Sequence, residues 1–183
     1  MLRTALILLI LACASADDGR AQVARQWLEA LAKRDAQSVY ALVDPEVIRS
    51  VVSLHGTLRE TRELIQTELP KPQQKAALEA APLPEEGGPE ELFAALFTRE
   101  GAAVELGVLD GFSMRPRSIE GDMVTTLGGD VVSLVKDESG GWRVALSSED
   151  KGRLAAIVER AEANRDRVKH LIGRFDERRF GKK

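Results

Sequence analysis

The stretch that decides the fold is Phe112–Leu146, FSMRPRSIEGDMVTTLGGDVVSLVKDESGGWRVAL. Short runs of alternating apolar and polar residues are separated by turn signals, the pattern of half-buried strands. Expected strands are Phe112–Glu120, Met123–Leu127, Val131–Lys136 and Trp142–Leu146, with Ala103–Val108 before them. Pro116 has no N–H to give a ladder, so its strand belongs at an edge or carries a bulge. Glu120-Gly121-Asp122 and Asp137-Glu138-Ser139-Gly140-Gly141 read as hairpin turns. Strands this close in sequence pair antiparallel, because a parallel crossover needs a dozen residues or more.

The residues before this stretch carry a different period. Ala21–Lys33 places Val23, Trp27, Leu28 and Leu31 on one helical face. Ser38–Val43 reads as a further helical turn. Asp44-Pro45 then offers a cap followed by a proline at the first helical position. Val47, Ile48, Val51, Val52 and Leu54 need burial in the helix that follows, which is expected to end near His55. Thr57 and Glu60 have capping-box spacing and predict a new helix there. Pro70 and Pro72 interrupt it, Gln73–Ala81 is Ala-rich, and the segment from Pro82 to Gly88 is a loop. Pro89 opens a helix with Leu92, Phe93, Leu96 and Phe97. After the strands, Ser147 or Ser148 caps a long helix running to about Phe180.

Helices, then an antiparallel sheet, then a long helix make an α+β chain. The expected arrangement packs the N-terminal helices on a curved antiparallel sheet. The domain plan is one domain over 20–183, with a helical insertion at 57–99 and a terminal helix at 148–180.

The first sixteen residues read differently. One cation, Arg3, precedes the apolar run Ala5–Ala12, and Asp17-Asp18-Gly19 turns abruptly polar. The run is far shorter than the roughly 20 residues of a membrane-spanning helix. A charged start, a short apolar middle and small residues at the exit form a secretory signal over residues 1–16. Two processing sites compete. Ala14-Ser15-Ala16 fits the small-x-small rule, with a mature start at Asp17. Ile10-Leu11-Ala12-Cys13 resembles the lipobox of bacterial lipoproteins, whose cysteine becomes the acylated first residue. Cys13 is the one cysteine in the chain and stands at the end of the apolar run. The resemblance implies an exported protein of the cell envelope, held to the membrane by a lipid on Cys13. The alternative is a soluble periplasmic or secreted protein.

Composition narrows the function classes. About 170 residues remain after export, enough for a sizeable core. One cysteine permits no internal disulfide. The formal net charge of −3 argues against a nucleic-acid binder. The charge is nevertheless uneven: acidic residues dominate Asp44–Asp130, and basic residues dominate Arg165–Lys183. His55 and His170 are the two histidines, far apart and without a cysteine cluster, so no metal site is expected. No glycine-rich phosphate loop or nucleophile elbow is present, and no cofactor is expected.

A resemblance extends to the fold. The opening helix with Trp27 and Leu31, the Asp35–Tyr40–Leu42 turn and the hairpin ending Gly140-Gly141-Trp142-Arg143-Val144 are similar to the nuclear transport factor 2-like superfamily. That resemblance implies a cone-shaped α+β domain with an internal pocket. Enzymes of that superfamily use an acidic base beside a polar donor, and the pocket candidates here are Tyr40, Asp44, Glu105 and Asp110. They do not match the family's catalytic pattern position by position. Asp44 also reads as a helix cap, and Glu105 as the solvent side of a strand. No catalytic residue is assigned.

The terminal helix carries Leu154, Ile157, Ala161, Asn164, Val168, Leu171 and Phe175 in a three-four alternation. Leu154, Ile157, Val168, Leu171 and Phe175 are its candidate interaction residues. The first half, to about Ala161, is expected to dock on its own chain, and Val168–Phe175 to project toward a protein partner or a second copy. The functional expectation is a non-catalytic envelope lipoprotein, a binding or assembly module. The alternative is a small-molecule enzyme using an acidic residue in the pocket.

Overall fold

The structure is a computed structural model and describes residues 19–80, 87–97 and 112–180. The expected strand at 103–108, the signal segment with Cys13, and the candidates Glu105 and Asp110 lie outside the described residues. The chain is α+β. Its elements are α1 (Arg20–Lys33), α2 (Ala36–Leu42), α3 (Pro45–Glu68), α4 (Lys71–Ala80), α5 (Pro89–Phe97), β1 (Pro116–Glu120), β2 (Met123–Thr126), β3 (Val131–Lys136), β4 (Trp142–Val144) and α6 (Ser148–Phe180). They group into two compact units. A sheet unit is drawn from Met1–Asp44 and Val104–Ala145, and a helical unit from Pro45–Ala103 and Leu146–Lys183.

In the sheet unit the four strands form an antiparallel meander in the order β1-β2-β3-β4. Ile119 pairs with Val124, Val124 with Val132, and Leu134 with Val144. The pleat therefore sends Val124, Val132, Leu134 and Val144 to one face, where they are buried with Met114. Helix α1 covers that face with Ala24 and Leu28, and Val23 and Trp27 pack at the edge. The opposite face leaves Met123 and Val131 exposed. Pro116 sits on edge strand β1, and the register shifts between Pro116 and Ser118. An edge proline and an irregularity both discourage pairing with another chain.

The turns follow the expected chemistry. Gly121 and Gly140 adopt φ of 57° and 82°, conformations that a side chain disfavours. Thr126, almost fully buried, donates its hydroxyl to Asp130 and accepts the Asp130 N–H, which closes the β2–β3 connection. Helix α1 ends at Arg34, which takes a left-handed φ of 54°. Asp35 caps α2 by accepting the Ser38 N–H at 3.1 Å and its hydroxyl at 2.6 Å. Those two bonds hold the Asp35 carboxyl below its ordinary pKa. Val43 bridges Val144 in parallel, and the Asp44 N–H donates to the Val144 carbonyl at 3.0 Å.

In the helical unit α3 is longer than the sequence predicts. The expected stop near His55 and restart at Thr57 are corrected: one helix runs unbroken from Pro45 to Glu68. Gly56 lies inside it, and a mid-helix glycine costs only about 1 kcal/mol relative to alanine. Thr57 is buried, and its carbonyl accepts the Thr61 hydroxyl at 2.7 Å. Glu60, the other half of the expected capping box, instead binds Lys169. Residues Val47, Val51, Leu54, Thr57, Thr61 and Ile65 form the buried stripe. Helix α3 does end before Pro70, and Gln74 donates to the Gln66 and Leu69 carbonyls left open there. Pro89 opens α5 as expected, with Glu91 reaching back to the Gly88 N–H at 2.7 Å. Helix α5 packs on α3 and buries Leu92 and Phe93. Ser147 caps α6: its Oγ accepts the Asp150 N–H at 3.0 Å.

Candidate functional site

Of the four pocket candidates, two are in the described residues. Tyr40 is half-buried on α2, and Asp44 is buried where α2 gives way to α3. His55, in the middle of α3 rather than at a helix end, places Nε2 3.0 Å from the Gly87 carbonyl, so it ties the segment leading into α5. His170 is exposed on α6. Among the described residues no three His, Cys, Asp or Glu side chains gather where a metal would sit.

The strongest polar cluster in the sheet unit braces a hairpin. Asp137 accepts the Ser139 hydroxyl at 2.6 Å, the Ser139 N–H at 3.0 Å and the Gly141 N–H at 2.8 Å. Its second oxygen accepts the Arg143 Nε–H at 2.9 Å, and Arg143 also donates to the Ala41 carbonyl on α2 at 3.0 Å. The Ser139 hydroxyl and then Arg143 hold the Asp137 carboxyl down at about 2. Both oxygens of Asp137 are thereby engaged in bracing the hairpin. Beside it, Trp142 is half-buried against the sheet core, with the Arg20 guanidinium 5.4 Å and the Lys136 ammonium 4.9 Å from its ring.

The terminal helix offers the more informative surface. It pairs with α3, and three contacts set the direction. Lys151 meets Glu46 at 3.8 Å, Lys169 meets Glu60 at 2.7 Å, and Val168 packs with Ile65 and Leu69. Residue numbers rise together on both helices, so α3 and α6 run parallel. Lys169 and then Arg165 hold Glu60 below the ordinary carboxylate range.

The candidate interaction residues divide along this pairing. Leu154 and Val168 are buried, and Phe175 and Ile172 pack against the cluster of Ile65, Leu69 and Val168. The expected projection of the second half is corrected accordingly: Val168–Phe175 docks on the same chain as α3. Ile157 is half-buried, and Leu171 is 39% exposed. The stripe therefore drifts from Leu171 to Ile172 toward the end of α6. A straight helix of 3.6 residues per turn must drift this way against a strict seven-residue repeat.

No family model, curated protein or solved structure matches this chain.

Proposed function

We propose that this chain is an exported, lipid-anchored protein of the cell envelope that works by binding or assembly rather than by catalysis. The observation that carries the binding role is the terminal helix. Residues 148–180 make a helix of 33 residues, about 50 Å long. One side of it packs on α3, while Ile157 and Leu171 stand at the border of a second, solvent-facing side. A helix with one flank committed to its own unit and another open to solvent is suited to presenting a partner surface.

The anchor rests on Ile10-Leu11-Ala12-Cys13. Acyl chains contribute about 0.8 kcal/mol per buried CH₂, and Cys13 is the one side chain able to carry them through sulfur. Only residues 14–19 separate Cys13 from α1, a reach of roughly 20 Å when extended. Such a tether keeps the sheet unit near the lipid surface. The same reading treats the sheet unit as a module of the nuclear transport factor 2-like kind, on the strength of helices α1 and α2, the meander, and Trp142 after its Gly140-Gly141 turn.

Mass spectrometry of the mature N-terminus tests the anchor. The expected species begins at an acylated Cys13, and Cys13→Ala moves the protein out of the membrane fraction. A wild-type chain starting at an unmodified Asp17 contradicts the anchor.

A further inference from the structure

Seven residues make nearly two turns of an α-helix. Arg153, Arg160, Arg167 and Arg174 therefore fall on one line of α6, each about 10.5 Å from the next. All four are exposed, and Arg153 also meets Asp150, one turn back, at 3.9 Å. The line beside them, toward the buried stripe, is Ile157, Asn164 and Leu171. The line on their far side is Ala156, Ala163 and His170. Asp and Glu are absent from all three lines between Gly152 and Phe175. The acids of this stretch, Glu159, Glu162 and Asp166, stand on the other solvent side of the helix. The flank is thus an apolar border, a row of guanidinium groups and a row with two alanines, repeating together every seven residues.

That repeat selects the occupant. An anionic bilayer rewards cations on one face but requires no register, and Leu171 is the one large apolar side chain here that is more than a third exposed. A second copy is opposed by charge. Antiparallel and parallel pairing through this flank both bring the arginine row against the same row of the second copy. A helix of a different protein, carrying apolar residues along its seam and carboxylates beside them at the same interval, meets every feature. Arginine's planar fork engages a carboxylate through two parallel hydrogen bonds. Ala156 and Ala163 let the partner's backbone come close.

We propose that the flank of α6 from Arg153 to Arg174 docks an acidic amphipathic helix from another protein, with Ile157 and Leu171 in the seam and the four arginines pairing with its carboxylates. This deepens the binding role proposed above and is independent of the lipid anchor.

The test uses the full mature chain, in detergent micelles where it is acylated, and two labelled four-heptad peptides. Both carry Leu at the two seam positions; one has Glu at the flanking positions and the other Lys. Each repels itself, so each is poorly helical until it binds. By fluorescence anisotropy the Glu peptide is expected to bind at least about tenfold more tightly than the Lys peptide, and more weakly as salt rises. The double reversal Arg160→Glu with Arg167→Glu is expected to weaken it by about tenfold or more. Circular dichroism should report an unchanged fold, because both side chains are in solvent. Arg167→Lys should weaken binding less than the charge reversal, since the charge survives and the two-pronged geometry is lost. Equal binding of the two peptides, no binding, or indifference to the double reversal overturns the proposal. Binding to vesicles with about 30% anionic lipid that depends on the same arginines, without peptide binding, also overturns it and assigns the flank to membrane. An acylated Cys13 together with no peptide binding sinks this proposal alone, whereas an unmodified Asp17 start with tight peptide binding sinks only the anchor.

Discussion

The sheet unit and the helical unit bury their cores by different routes. In the sheet unit each strand meets the next one across a turn of a few residues, and Val124, Val132, Leu134 and Val144 arrive at one face by simple alternation. In the helical unit the main pair is α3 with α6, whose matching residues lie about a hundred positions apart, as Glu60 and Arg165 do. The sheet is built from neighbours, with α1 closing its core from about a hundred residues away, and the helical core depends on a later return of the chain. The lesson is one of dependence. Loss of α6 leaves every element of the sheet unit in the chain, whereas it uncovers the stripe of α3 in the helical unit.

Removing the end of α6 should break that contrast most sharply. A chain stopped at Asn164 loses Val168, Ile172 and Phe175 from Ile65 and Leu69. One buried and two half-buried side chains amount to about 3–5 kcal/mol. We expect the helical unit to melt well below wild type while the sheet unit's Trp fluorescence transition stays in place. Unchanged stability in the truncated chain would restore the projecting helix that the sequence predicts.

A smaller effect is expected inside the sheet unit. A fully buried tryptophan typically costs about 3–5 kcal/mol when cut to alanine. Trp142 is half-buried, with two cations over its ring. For Trp142→Ala we expect about 2–3 kcal/mol, read from the urea midpoint of the sheet unit. A midpoint equal to wild type would mean that α1 and the sheet hold without it.

The smallest effect is a pH dependence confined to the sheet unit. Asp137 is held down to about 2 from an ordinary 3.8, so folding favours its charged form. Its contribution is complete above the ordinary value and disappears as pH falls through about 2. Wild type should therefore lose sheet-unit stability between roughly pH 4 and pH 2, and Asp137→Ala should flatten that part of the profile. An identical slope in both proteins would show that the brace does not titrate with folding.

The same contrast explains what could be read from residues alone. Strand β3 lies where alternation and flanking turns place it, at Val131–Lys136, and the edge position of the Pro116 strand follows from its missing N–H. The long helix from Ser148 to Phe180 follows from its cap and stripe. Local chemistry sets these features, so they are visible locally. The joint expected at His55–Thr57 was a local signal overruled by packing: Thr57 is drawn into the buried stripe of α3, and Glu60 toward Lys169. The stripe on α6 announces that the helix must pack, but a stripe does not name its neighbour. Only the structure shows that α3 takes the side with Val168 and Ile172, and that the arginine row faces solvent. Of the candidate site, the seven-residue arginine spacing was present in the sequence but had no meaning until the buried side was known.

The open flank of α6 is defined by the face that packs on α3, and the parallel direction of that pair is its most direct mark. Spin labels on Cys13→Ala chains, one pair at Glu46→Cys with Lys151→Cys and another at Glu60→Cys with Lys169→Cys, measure it directly by pulsed electron resonance. Parallel pairing predicts short distances for both pairs. Residues 46 and 60 lie about 21 Å apart along α3, so antiparallel pairing would leave at least one pair separated by roughly 20 Å or more, and would contradict the parallel arrangement.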